Sequence, residues 1–223
     1  MVNILFDCPN IDDFYEELKE YFSGDSKVAV IAFSYYDDFV YDNDSWEKVY
    51  GKGIGPCYFE TVEPLGRFGV PEKNIEFINY FADTKESAEE KIKKANTLYF
   101  TGGLPDRMME RIEAFGLTDI LKKFDGVVFG YSAGAVIQLK DYHLTPDNDY
   151  TEFGYYKGLG YLDDLCIEVH YENKACQNES IKRVLRERGT PVYVLHTACG
   201  GIVVENNCIR TVGKVDIIRP DFQ

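Results

Sequence analysis

The sequence predicts an α/β fold, a three-layer sandwich doubly wound around a largely parallel central sheet. Two observations predict it: short apolar and β-branched runs recur along the chain, and stretches with apolar residues three or four positions apart lie between them. The chain has 223 residues and 45% hydrophobic content, which suffices for one well-buried core. We therefore expect one domain over residues 1–223 and look for one active site.

The alternation can be assigned element by element. Apolar runs predict strands at residues 3–6, 27–33, 74–79, 97–101, 126–130, 165–170 and 191–196, and a closing hairpin at 201–218. Apolar periodicity predicts helices at residues 11–22, 85–95, 106–115, 133–140 and 178–188. Thr84 directly precedes the second of these helices and is suited to cap it.

Residues 35–71 interrupt this alternation. The segment is rich in Tyr, Asp and Gly and contains Trp46, so we predict an inserted loop. Its glycines form no dinucleotide-binding fingerprint, because Pro56 occupies the place of the last glycine in Gly-x-Gly-x-x-Gly. A lid over the site and a subunit contact in a homodimer both fit such a segment, and the sequence favours neither.

Composition argues against several kinds of partner. Asp and Glu number 38 against 24 Lys and Arg, so a formal charge of −14 would repel a phosphate backbone or an anionic membrane. The apolar run at residues 1–6 ends at Asp7. The run is too short to span lipid, and it predicts a first strand rather than a leader. The six cysteines form no Cys-x-x-Cys pair. We therefore expect a cytoplasmic protein that needs no metal or cofactor and binds neither nucleic acid nor membrane.

The motif with the most chemical content is Gly-Tyr-Ser-Ala-Gly at residues 130–134. A serine on a tight turn between strand and helix needs small neighbours, and the turn lifts its hydroxyl clear of the sheet edge. A buried-strand run at 127–129 precedes the motif, and a helical pattern follows it. Ser132 is therefore the candidate nucleophile on a nucleophile elbow, although a tight turn needed only for packing would give the same pattern.

A nucleophilic serine also needs hydrogen-bond donors for the oxyanion that forms during its attack. Gly102 and Gly103 follow a predicted strand and precede Pro105, which opens a helix, so their amides would lie at the same sheet edge as Ser132. The N–H of Ala133 is the natural second donor. Gly-Gly in this position is equally compatible with turn chemistry alone.

The general base should be one of three histidines. His143 lies roughly 12 Å or more along the elbow helix at 1.5 Å per residue, so we expect a structural role for it. His170 and His196 both end strand-like runs, which puts each at the carboxyl edge where open α/β sheets hold their sites. Residue chemistry alone does not separate these two.

Three pieces together resemble the peptidase E (S51) and cyanophycinase family, whose flavodoxin-like fold is shared with class I glutamine amidotransferase domains. They are the Thr-Gly-Gly turn at 101–103, the Gly-x-Ser-Ala-Gly elbow and the strand that ends at His170. The resemblance covers most of the chain after about Asn74. It implies that His170 is the base and that the reaction is dipeptidase E-like: hydrolysis of a peptide bond near an aspartyl residue through an acyl-serine intermediate.

Two positions depart from the family pattern. The family carries an orienting Asp or Glu in the turn after the next strand, where this sequence has Ala198, and in serine peptidases such a loss can cost roughly ten-thousand-fold in rate. Substitutes within the chain are Glu172, close after the histidine, and Asp147 or Asp149. The family also recognises an acidic side chain through a basic residue downstream of its histidine. This sequence has Gln177 in that region, so we do not expect an aspartyl preference.

Other functions fit the sequence less well. An α/β-hydrolase esterase has its acid before its histidine and a longer sheet, and only about ninety residues follow Ser132. A glutamine amidotransferase would need Cys at this position. The serious rival is a family member that has lost turnover and binds a ligand or partner, which Ala198 favours and the intact elbow and His170 oppose. We predict a serine-type peptidase that acts on a small peptide or amide.

Overall fold

The computed structural model describes residues 1–220, without the side chains of residues 198 and 199. Its strands are β1 (Val2–Phe6), β2 (Val28–Ile31), β3 (Ile75–Ile78), β4 (Thr97–Phe100), β5 (Val127–Tyr131), β6 (Asp141–Leu144), β7 (Gly154–Lys157), β8 (Cys166–Tyr171), β9 (Val192–Glu205) and β10 (Cys208–Ile218). Its α-helices are α1 (Tyr15–Leu18), α2 (Asn43–Tyr50), α3 (Pro56–Arg67), α4 (Lys85–Lys94), α5 (Pro105–Phe115), α6 (Thr118–Lys122), α7 (Ala133–Val136) and α8 (Ala175–Arg188). Two 3-10 helices cover Ile11–Phe14 and Glu72–Asn74.

The main sheet has eight strands and is mostly parallel. Its order is β10-β9-β1-β5-β4-β2-β3, with β8 paired to β9 outside this path. The five strands from β1 to β3 in this order are mutually parallel, whereas β9 runs antiparallel to β1 and to β10. The predicted α/β fold with a largely parallel central sheet is confirmed.

Helices cover both faces of the sheet. Successive residues of a strand point to opposite sides, so each face contributes to its own apolar core. Ile4 and Phe6 of β1 enter one apolar core together with Leu65 of α3. Leu5, between them, enters the other core with Ile112 of α5. Strands buried on both faces are read in a sequence as continuous apolar runs, which is why the central strands could be assigned from sequence.

The long strand β9 brings β1 and β8 end to end. One part of β9 pairs with β1, with Phe6 opposite Gly201, and an earlier part pairs with β8, with Tyr171 opposite His196. Since β1 runs antiparallel to β9 and β8 runs parallel to it, their carboxyl ends face each other along one side of β9. The sequence predicted a strand at 191–196 and a separate hairpin, so this juxtaposition was not foreseen.

The prediction of an inserted loop at 35–71 is wrong, because much of this segment is helical. Asp42 caps α2 by accepting a hydrogen bond from the N–H of Ser45 at 2.8 Å, and Trp46 and Tyr50 are buried on one face of that helix. Pro56 occupies the first turn of α3. The glycine-rich run between these helices and Pro64 within α3 are features typical of loops, so neither helix was recognised from the sequence.

Smaller differences concern helix lengths. The predicted helix at 133–140 ends at Val136, because the N–H of Lys140 bonds to the carbonyl of Leu162 and the chain continues into the β6–β7 hairpin. The predicted helix at 11–22 is one 3-10 turn followed by α1. The capping role of Thr84 is confirmed. Within residues 1–220, no helix combines the length and the apolar character that crossing a membrane requires.

Candidate active site

Ser132 lies on a strained turn between β5 and α7. Its backbone has φ of 51° and ψ of −115°, in a region that residues with a side chain rarely adopt. Its N–H donates to the carbonyl of Phe6 at 2.9 Å, which ties the turn to the end of β1. A Cβ on Gly130 would collide with the carbonyl of Gly134, and a Cβ on Gly134 would collide with the carbonyl of Phe100. The two glycines of the motif are therefore required by close backbone approach.

This close approach gives a stability prediction. Gly134→Ala should lower the free energy of unfolding by about 1 to 3 kcal/mol, because backbone atoms of β4 and not a movable side chain oppose the new methyl group. Gly66→Ala is the matched control: Gly66 lies in α3 with open space around its Cβ position, so alanine should leave stability equal or raise it by up to about 1 kcal/mol. Urea unfolding of both variants measures the difference, and equal stabilities would contradict the packing described here.

His170 contacts the serine directly. Its Nε2 lies 2.7 Å from Oγ of Ser132. The pairing of β8 with β9 shifts register between Glu168 and Tyr171, and His170 has a φ of 54°. Such an irregularity turns a side chain away from the direction that a regular strand would give it.

Asp7 holds the other side of the imidazole. Its Oδ1 lies 3.0 Å from Nδ1 of His170 and also accepts a hydrogen bond from the backbone N–H of His170. The Asp7 side chain is only 1% exposed, whereas that of His170 is 53% exposed. The hydrogen bond that the imidazole donates to Asp7 raises the pKa of His170 above its ordinary 6.5, burial opposes this, and the charges of Asp7, Asp147 and Glu168 add to the rise.

The acids predicted from sequence lie near the histidine but have other partners. Glu172 forms an ion pair with Lys174 at 2.5 Å. Oδ1 of Asp147 accepts the backbone N–H groups of Asp149 and Tyr150, at 2.8 and 2.9 Å. In the structure it is Asp7, and neither of these two acids, that contacts Nδ1. The side chain of residue 198, the family position of the acid, lies outside the described part.

Asp7 was missed although a signal existed. It directly follows a predicted parallel strand, so it lies at the same carboxyl edge as the residues that were considered. The sequence does not reveal that the carboxyl ends of β1 and β8 face each other along β9. Only this arrangement makes Asp7 a neighbour of His170.

The predicted oxyanion donors divide into two groups. Gly103 and Ala133 line the cavity beside Ser132. Gly103 has a φ of 137°, and its turn is held by the Ser34 hydroxyl, which donates to the carbonyl of Gly102. Gly102 lies against the Tyr131 ring instead. Burial raises the pKa of the Tyr131 hydroxyl well above its ordinary value, and the N–H of Gly102 opposes that rise because it faces the phenol oxygen.

The two other histidines have partners of their own. Nε2 of His196 lies 2.7 Å from Oδ2 of Asp216 on β10. His143 is buried in β6, beyond the end of α7, with its Nε2 2.8 Å from Oε2 of Glu168.

A cavity of about 620 Å³ opens at Ser132 and His170. Its walls come from α7, from β8 and from the loop between β6 and β7. Four carboxylate residues line it, namely Asp147, Asp149, Glu168 and Glu172. Among residues 1–220 no group of three or more His, Cys, Asp or Glu side chains is arranged to hold a metal ion.

A serine on a sharp turn against a histidine, at the carboxyl edge of a mostly parallel sheet, is typical of α/β enzymes that hydrolyse amides and esters. Sequence comparison gives the family: the model of peptidase family S51 matches residues 58–212. The chain belongs to peptidase family S51, as its motifs indicated.

Solved structures with the same fold include two peptidases. A Listeria monocytogenes EGD-e protein described as a "Putative Peptidase E Protein" has a TM-score of 0.66 and 16% identity, over 96% of this chain and 98% of that one. A peptidase from an acI-B1 Actinobacterium has a TM-score of 0.58 and 14% identity, over 99% of this chain and 95% of that one. No protein with a curated description matches the sequence. At these identities the two structures support the fold alone.

Proposed function

We propose that this protein is a serine-type peptidase that hydrolyses a small peptide or amide through an acyl-serine intermediate. The observation that carries the proposal is the 2.7 Å contact between Oγ of Ser132 and Nε2 of His170. A hydroxyl is a weak nucleophile by itself and needs a base within hydrogen-bond reach. The strained turn at Ser132 supports the same role, since strain of this kind is concentrated at functional sites.

The reaction proceeds in two steps. Oγ of Ser132 attacks the substrate carbonyl carbon while Nε2 of His170 takes the hydroxyl proton, and the C–N bond then breaks as the imidazolium gives that proton to the leaving amine. In the second step, water gives a proton to Nε2 and attacks the acyl-serine, and the imidazolium then gives that proton to Oγ as the ester C–O bond breaks, which releases the acid and restores Ser132 and the neutral histidine. The backbone N–H groups of Gly103 and Ala133 are the donors proposed for the oxyanion.

Asp7 takes the role of the orienting acid in this proposal. Its carboxylate accepts from Nδ1, which leaves the lone pair of His170 on Nε2 and facing Ser132. The negative charge also stabilises the imidazolium that forms during attack. Ala198, at the position of the family acid, favoured a catalytically impaired binding protein. With Asp7 as the orienting acid, an acid at position 198 is not needed.

A fluorophosphonate probe tests the proposal. Oγ of an activated serine attacks phosphorus and displaces fluoride, so we expect a stable adduct on the peptide that contains Ser132, found by mass spectrometry. Ser132→Ala should give no adduct and keep the fold, and heat-unfolded wild type should also fail to react. Absence of an adduct on native protein, where a reference serine hydrolase is labelled, would favour the rival function of ligand or partner binding without turnover.

A further inference from the structure

The cavity beside Ser132 carries an excess of negative charge. Its walls hold four carboxylate residues, and Lys174 is the one Lys or Arg among its described lining residues. The ammonium of Lys174 lies 2.5 Å from the carboxylate of Glu172, so these two charges compensate each other and the excess comes from Asp147, Asp149 and Glu168. A substrate carboxylate entering this cavity would therefore find repulsion and no unpaired cation in the described walls.

Glu168 is the buried member of this acidic set. It is 4% exposed and lies on β8 two residues before His170, at the wall of the cavity. Its Oε2 lies 2.8 Å from Nε2 of His143 and accepts from the Thr145 hydroxyl at 2.9 Å. Among the described residues no hydrogen bond reaches Oε1. Oε1 is therefore the oxygen of this carboxylate that is available to accept a hydrogen bond from a molecule in the cavity.

Gln177 supplies no positive charge in exchange. Its amide oxygen accepts from the N–H groups of Glu172 and Lys174, at 3.0 and 3.2 Å, and its Nε2 donates to the carbonyl of His170 at 2.8 Å. The side chain therefore fixes the backbone after β8. Because both polar atoms of the Gln177 side chain bond to the backbone, they are not available to bind an acidic substrate.

From these contacts we infer that the cavity selects substrates in which the residue transferred to Ser132 carries a positively charged ammonium or guanidinium group, bound by Glu168. This inference rests on the proposed function. The positive charge can come from a side chain or from a free α-amino group, and both present N–H donors to a carboxylate. A hydrogen bond from a charged donor to a carboxylate is stronger than one from a neutral donor.

Four 4-nitroanilides separate these cases. The N-acetyl-lysine compound carries a positive charge only on its side chain, and the norleucine compound with a free amine carries it only on the α-amino group. The N-acetyl-norleucine compound is the neutral isostere, and the N-acetyl-glutamate compound is the anion. We expect kcat/KM for at least one cationic substrate to exceed that of the neutral isostere about tenfold or more, and the anion to be the poorest. A neutral or anionic substrate that is as good as both cations would overturn the inference.

A variant links the preference to Glu168. Glu168→Gln keeps the size of the side chain and removes its charge, so the ratio of cationic to neutral kcat/KM should fall toward one. Glu113→Gln, on the exposed face of α5, changes the net charge of the protein by the same amount away from the cavity and should keep the wild-type ratio. An unchanged ratio in Glu168→Gln, or an equal fall in Glu113→Gln, would contradict the assignment to Glu168.

Binding to Ser132→Ala keeps the two proposals separable. Calorimetry should show tighter binding of N-acetyl-lysinamide or norleucinamide than of N-acetyl-norleucinamide. Such a preference without turnover of any substrate by wild type would reject the peptidase function and support the cation site. Turnover by wild type with equal binding of all three ligands would reject the cation site and support the peptidase.

Discussion

His170→Ala is expected to lower kcat by about a million-fold, the loss typical of removing the base or the nucleophile from a serine peptidase. The imidazole is the group that contacts Oγ of Ser132, so without it the hydroxyl keeps its proton and attacks poorly. The measurement is steady-state turnover of the best amide substrate, with circular dichroism to confirm that the variant is folded.

His196→Ala is the matched control for this prediction. His196 also ends a strand-like run in the sequence, yet its Nε2 pairs with Asp216 on the neighbouring strand β10. The side chain of Asp216 is 60% exposed, so its pair with His196 is weak. Loss of this pair should leave kcat within about threefold of wild type. Comparable losses in the two variants would reopen the choice of base.

Asp7→Asn is expected to lower kcat by roughly ten-thousand-fold while the fold persists. An asparagine amide can present an N–H to Nδ1, which would put the imidazole proton on Nε2 and its lone pair away from Ser132. The imidazolium formed during attack would also lose its negative neighbour. Glu172→Gln and Asp147→Asn are the controls, and we expect each to retain activity within about tenfold, since these acids have other partners.

The pH dependence of the same variant gives a second readout. In wild type the pKa of His170 is raised above 6.5, chiefly by the hydrogen bond that its imidazole donates to Asp7, and only the neutral imidazole can act as base. The acid limb of kcat/KM should therefore lie above pH 6.5 in wild type. Removing the carboxylate removes the main cause of the rise, so the limb should move to lower pH in Asp7→Asn. A limb that stays in place would show that another group sets the pKa.

Most of the sheet could be predicted because its strands are buried on both faces. Every residue of the runs 28–31 and 97–100 is buried, and all of them except Thr97 are apolar or aromatic, while the helices between the strands keep a period near 3.6. The prediction for 35–71 failed because α2 has only eight residues and because α3, with twelve, contains Pro64, a residue that normally argues against a helix interior. A short periodic pattern among glycines does not stand out from a loop.

The parts of the candidate site that could be proposed from sequence are those that are local in sequence. The elbow at Ser132 and the turn at Gly103 follow from small residues between a strand and a helix, which a sequence displays directly. Glu168 was missed because an acid within an apolar strand gives no sign of the cavity that it faces. The role of Ala198 could be weighed only as the absence of a family residue.

The sequence alone determined the fold class, the position of the candidate nucleophile and a choice between two candidate bases, because each depends on residues within a few positions of one another. The tertiary structure alone decided which acid reaches the histidine and what charge the cavity presents. Asp7 and His170 are 163 positions apart and meet only because β1 and β8 run toward each other along the same side of β9. Contacts between distant segments follow from strand order and register, which are properties of the assembled sheet.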